Sequence, residues 1–374
     1  MKKTVKLIGI NLFIIVGLVA LTELFLSAYF NLKDQSHKEG RSQSIRLALP
    51  NYEGEKWASQ YWNEYAEHRL EYHSYVGWKG IPRNGKQLNI DNQGLRKTSN
   101  QVAEKEAIEE VAFLGGSTMW GTGANDEGTI PSFYASLNDS SYIKNLGQLA
   151  YLAQQGFLAL QCEIAKGYRP DLVISYEGVN NTPSGRTPFG HSREHQIRSI
   201  MVGADGARKE EFLWATKRFL QTLSSLLGFD EKPDFTSRSN NEPIEAFAIE
   251  LLESWLALKT MCDANETELL LILQPNASVG KPDLSNLEKL GMEHFRDAML
   301  TKSPEFYAQV KTLMKENERY SPLIVHFADF SEVLDGVPNV YIDYCHLSPR
   351  GNEVIAKKID DTITQRRLSR NGQP

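Results

Sequence analysis

Asp343-Tyr344-Cys345-His346 sets an acid three residues ahead of a histidine, and Leu347-Ser348-Pro349-Arg350-Gly351 then opens a final helix. Far upstream, the apolar run Val111-Ala112-Phe113-Leu114 ends in Gly115-Gly116-Ser117-Thr118. A serine hydroxyl is a weak nucleophile until a base removes its proton, and an imidazole serves best when an acid fixes its tautomer. Ser117, His346 and Asp343 are the residue types for that division of labour. Each also has a plainer use: Ser117 as a turn or capping residue, Asp343 and His346 as polar groups at a helix start.

Chemistry of this kind needs a scaffold that brings distant loops to one rim. From about residue 108 the chain alternates short apolar runs with helical stretches. Strands are expected at Val111–Leu114, Tyr142–Leu146, Leu172–Tyr176, Leu269–Leu273 and Leu323–Phe327. Helices are expected from Thr129 to Leu137, from Leu149 to Gly167, over 246–262 and over 350–365. Apolar strands separated by helices imply an α/β class with a parallel sheet covered on both faces. In such sheets ligands bind where strands end and helices begin. Three of those ends carry Gly116-Ser117, Asn145-Leu146-Gly147 and Gly178-Val179-Asn180.

These blocks, in this order, resemble those of the SGNH/GDSL hydrolase family. Phe113-Leu114-Gly115-Gly116-Ser117-Thr118 is similar to its first block and Asn145-Leu146-Gly147 to its second. Gly178-Val179-Asn180 is similar to the third, and Asp343-Tyr344-Cys345-His346 to the last. The likeness spans about residues 110–365. It implies a three-layer α/β/α sandwich on a mainly parallel five-stranded, flavodoxin-like sheet. It also implies Ser117 as nucleophile, His346 as base, Asp343 as orienter, and an oxyanion hole built from Ser117 N–H, Gly147 N–H and the Asn180 amide. Two positions depart from the family pattern: Gly116 stands where an acid is usual, and Asn181 where aspartate is commoner. Such chemistry calls for no cofactor and no metal.

The rest of the chain bounds the setting. Its 374 residues are 41% hydrophobic and 24% charged, which excludes wholesale disorder. A net charge of −6 argues against a nucleic-acid partner. Cys162, Cys262 and Cys345 form no paired motif. Residues 1–30 place Lys2, Lys3 and Lys6 before an apolar run from Leu7 to Phe30, long enough to cross ~30 Å of hydrocarbon. An uncleaved membrane anchor is expected there, with a signal peptide as the alternative, and with the catalytic part periplasmic or at the cell surface. Residues 31–105 read as a polar tether followed by a small β-rich preface, and 106–368 as the hydrolase-like domain. A polar insertion at 181–245 interrupts that domain and includes a basic stretch from Arg186 to Arg198. Trp120, just past Ser117, either lines an acyl pocket or packs in the core. Three functions follow: an esterase acting on O-acyl, especially acetyl, esters of a small molecule or polysaccharide; an acyltransferase handing the acyl group to a sugar; or a carbohydrate-binding scaffold without chemistry.

Overall fold

The computed structural model describes residues 11, 13–14, 17–29, 46–183, 216, 219–220, 243–288 and 302–371. Most of the 181–245 insertion, with its basic stretch, lies outside them. So do residues 1–10, 12, 15, 16 and 30 of the expected anchor. Residues 17–29 are helical, and the Glu23 carboxylate accepts hydrogen bonds from the N–H and the hydroxyl of Thr216. Among the described residues no helix is long and apolar enough to cross a membrane.

The preface contains a helix, α1 (Ala58–Glu67), and two antiparallel ribbons. One ribbon pairs β1 (Leu70–His73) with β2 (Gly77–Gly80), and the other pairs β3 (Arg83–Asn84) with β4 (Asn89–Ile90). Five parallel strands follow: β5 (Glu109–Gly115), β6 (Ser141–Asn145), β7 (Leu172–Glu177), β8 (Glu268–Leu273) and β9 (Phe327–Asp329). They lie in the order β6-β5-β7-β8-β9, so β5 and β7 are neighbours near the middle.

Alternation along these strands sorts their side chains into two cores. Val111, Phe113, Ile174 and Ile272 face α3 (Ile130–Leu137) and the last helix, α8 (Pro349–Asn371). Ala112, Leu114, Val173 and Leu271 face α4 (Ala153–Ala165), α5 (Ile244–Ala264) and α7 (Ser303–Glu316). Two short helices, α2 (Ser117–Trp120) and α6 (Ser285–Glu288), complete the set. Strands buried on both faces explain the unbroken apolar runs.

The edge strand is shorter than the apolar run Leu323–Phe327 suggests. Pro322 opens a 3₁₀ segment over Ser321–His326, where proline's missing N–H costs nothing, and Ile324 and Val325 face solvent. The helix expected from Leu149 starts only at Ala153, because residues 146–152 form a loop laid against α2.

Candidate active site

Ser117 begins α2 at the end of β5, after a single extended residue, Gly116. Its carbonyl accepts from the N–H groups of Gly121 and Thr122, closing a tight four-residue helix. As its first residue, Ser117 has an N–H with no intrahelical acceptor. Asp343 and His346 lie in a turn closed by Ile342 N–H to His346 O, just before α8. Asp343 Oδ1 accepts from the backbone N–H of Cys345 (3.0 Å) and His346 (2.8 Å), which leaves Oδ2 for the imidazole.

The two ends of the chain meet at this rim. His346 Nδ1 is 2.7 Å from Asp343 Oδ2, and His346 Nε2 is 2.7 Å from Ser117 Oγ. A carboxylate only accepts, so the network assigns the proton to Nδ1 and leaves Nε2 to accept from the Ser117 hydroxyl. Burial would raise the Asp343 carboxyl, but the adjoining imidazole and the two backbone N–H groups outweigh it and hold Asp343 well below the usual range. Burial pushes the Cys345 thiol well up, so it stays a neutral packing group beside Val179 and Tyr344. Among the described residues, Asp343, Cys345 and His346 are also the one cluster with metal-ligand atoms within 4.8 Å of one another. Both nitrogens of its imidazole already have partners, Asp343 and Ser117.

Asn180 reaches the site from the end of β7. Its Nδ2 donates to Tyr151 O at 2.9 Å, leaving a second N–H, and it presses against Gly116. A Cβ at Gly116 would collide with Asn180 Nδ2.

Gly147 does not take its expected part. Its N–H donates to Asn145 Oδ1 at 3.0 Å, and a Cβ there would meet Trp120 N at 2.9 Å and Met119 Cβ at 3.1 Å in α2. Asparagine at 145 competes for that donor and wins because it sits two residues away in a ready turn geometry. Further along the same loop, Gln148 N–H donates to Gly115 O and Tyr151 O abuts Gly116. Between them Ala150 adopts φ +60°, and no hydrogen bond of the described residues uses its N–H. A left-handed alanine at this rim carries no mark in the sequence that would have singled it out.

Trp120 belongs to the core. It is fully buried, with His68 stacked at 5.1 Å, Tyr65 at 6.0 Å and the Arg96 guanidinium 4.5 Å over its face. Burial lowers His68 to about 4, which keeps that ring neutral against the indole.

Sequence reading also missed Arg96. From the preface it donates to the carbonyls of Trp120, Gly121 and Ala124 and pairs with Asp126 at 3.3 Å, its side chain wholly buried. The loop that follows Ser117 is thus shaped by residues that precede the sheet.

No protein-family model and no curated protein matches the chain. Its structure is similar to that of a psychrotrophic esterase from a Pseudoalteromonas species, at 10% identity and a TM-score of 0.39, covering 69% of this chain and 97% of that one. A GDSL-like lipase from Bacteroides thetaiotaomicron matches at 12% identity and a TM-score of 0.36, covering 71% and 91%. A member of the lipolytic G-D-S-L family from Veillonella parvula matches at 13% and 0.35, covering 68% and 98%.

Proposed function

We propose that this chain is a serine hydrolase that opens O-acyl esters, acetyl esters foremost, through an acyl-serine intermediate. The observation that carries this is the unbroken relay from Ser117 Oγ through His346 to Asp343, both contacts at 2.7 Å. As Oγ adds to the ester carbonyl carbon, His346 Nε2 takes the hydroxyl proton. It returns that proton to the leaving alkoxide as the ester C–O bond breaks. Water then attacks the acyl-serine by the same exchange, and Asp343 stabilises the imidazolium at each stage. The transient oxyanion is met by the Ser117 N–H, the second N–H of Asn180 and, in place of Gly147, the N–H of Ala150. Each donor is worth about 10²–10³ in rate. Ser117→Ala should abolish turnover of 4-nitrophenyl acetate and labelling by a fluorophosphonate while the fold survives. Near-wild-type turnover by that variant would sink the assignment.

A second reading keeps the same acyl-enzyme and changes the acceptor from water to a sugar hydroxyl. It is favoured by the β1–β2 hairpin, where Tyr72 and Tyr75 are 54% and 79% exposed. Trp78 of that hairpin donates to Leu149 O, which sets the hairpin beside the turn that flanks Ser117. Exposed ring faces suit the C–H face of a sugar. Incubation with 4-nitrophenyl acetate and an oligosaccharide separates the two readings: acetylated sugar supports transfer, and free acetate alone refutes it. A scaffold without chemistry would leave Ser117 unlabelled by the fluorophosphonate. We further propose that the apolar segment up to Phe30 tethers the chain to a membrane with its catalytic part extracytoplasmic. Release from membranes by an alkaline carbonate wash would contradict that.

A further inference from the structure

We propose that Asn51 and Tyr52 form a clamp that fixes the distance between nucleophile and base, by holding the Ser117 loop and the Asp343–His346 loop against each other. The proposal rests on the serine-hydrolase reading above. Two adjacent residues of one 3₁₀ turn, Pro50–Tyr52, each grip a different catalytic loop. Asn51 Nδ2 donates to Asn339 O at 2.6 Å and to Tyr341 O at 3.2 Å, on the approach to Asp343. Tyr52, itself buried, donates its hydroxyl to Gly123 O at 2.7 Å, in the loop that caps the nucleophile helix.

The two loops meet between these contacts. Gly123 has φ +95°, and a Cβ there would run into Ile342 Cδ1, the side chain next to Asp343. Close approach of loop to loop is therefore built on a glycine, and Tyr52 Oη closes over the same residue. From the other side Tyr61 Oη accepts the Gly123 N–H at 2.8 Å, so both polar groups of that peptide position are held by the preface. Asn339, whose carbonyl Asn51 takes, stands at φ +57°, a left-handed turn conformation that asparagine adopts readily. Neither side chain hydrogen-bonds to Ser117, Asp343 or His346. Asn51 and Tyr52 are positioning residues.

The bonds are also partly duplicated, which makes the clamp separable from folding. Asn339 O keeps Ser348 Oγ, and Tyr341 O keeps Asn286 Nδ2, if Asn51 is truncated. Tyr52→Phe keeps the ring against Trp57 and Trp62 and loses only the hydroxyl. What goes is the register between the loops, and a displacement near 1 Å can cost about 10²-fold in rate.

The test compares Asn51→Ala/Tyr52→Phe with wild type in 4-nitrophenyl acetate turnover, in both the native and the His346→Ala backgrounds. The expected result is a fall in kcat of about 10- to 100-fold at unchanged KM, with a parallel slowing of fluorophosphonate labelling. In the His346→Ala background the same pair should have no further effect on residual turnover, because the distance it sets no longer matters. General loosening would lower that residual rate as well. If the double variant does not fold, Tyr52→Phe alone is carried through both backgrounds. Wild-type kcat in the clamp variants beside an inactive Ser117→Ala overturns the clamp alone, as does an equal loss in both backgrounds. Turnover by Ser117→Ala overturns the hydrolase reading and the clamp with it.

Discussion

Gly116→Ala adds one methyl group to the residue before Ser117. The backbone there, φ −84° and ψ −153°, is extended and open to alanine, so the perturbation lies in where the methyl goes. It lands on Asn180 Nδ2, with Tyr151 O next nearest at 3.4 Å. Asn180 is the end of a flexible side chain and swings aside, giving up its 2.9 Å bond to Tyr151 O and leaving its post beside Ser117. One lost neutral hydrogen bond costs about 1 kcal/mol, and replacing glycine returns roughly 0.4–1 kcal/mol through the unfolded chain. Stability should therefore barely change. Turnover should fall by about 10²–10³, the ~2.7–4 kcal/mol expected for one oxyanion donor. The assay is kcat and KM for 4-nitrophenyl acetate beside a thermal melt, on Gly116→Ala, Asn180→Ala and the double variant. Both single changes remove the same donor, so the double should be no worse than either. Wild-type kcat in Gly116→Ala, or a double loss equal to the product of the singles, would refute the assigned role of Asn180.

Arg96→Met should destabilise the fold by about 3–5 kcal/mol, because it strips buried Asp126 of its cation and three loop carbonyls of their donor. Urea unfolding measures this, and a loss below about 1 kcal/mol would contradict it. Glu177 ends β7 with no charged partner among the described residues, and burial raises its carboxyl well above the ordinary value. Between that ordinary value, about 4.3, and the folded one, the unfolded chain ionises while the folded chain stays protonated, so stability falls as pH rises, by up to ~1.4 kcal/mol per unit. Glu177→Gln does not titrate, so it should match wild type near pH 4 and surpass it at pH 8 in thermal melts; parallel curves would refute this.

The meeting of Ser117, His346 and Asp343 was legible because each sits at a strand end or helix start whose signals are local. The runs at Val111, Leu172 and Leu269 are buried on both faces and read as strands for that reason. The placing of Asn180 beside Gly116 was legible by the same token. Gly147 was misread because its fate depends on the rotamer of Asn145, which spacing cannot show. The helix α1 and its buried Tyr61 and Trp62 hide in a stretch whose aromatics and turn residues suggest strands. They are helical because their buried face packs on Trp120 and the loop beyond it, a tertiary cause. No local signal singles out Arg96. Its burial follows from four acceptors that only the folded 120–126 loop brings together.

The contact between Asn51 and Asn339 spans 288 residues of chain. Such contacts pay back the entropy of loop closure only after the whole intervening sheet is in place, and folds rich in them form slowly. Helices and the central strands can therefore assemble in a refolding chain that still lacks a working relay. Helical circular dichroism should recover ahead of esterase activity, the lag being the time taken to bring the two ends of the chain into register. Catalysis then serves as a clock for the last step of folding.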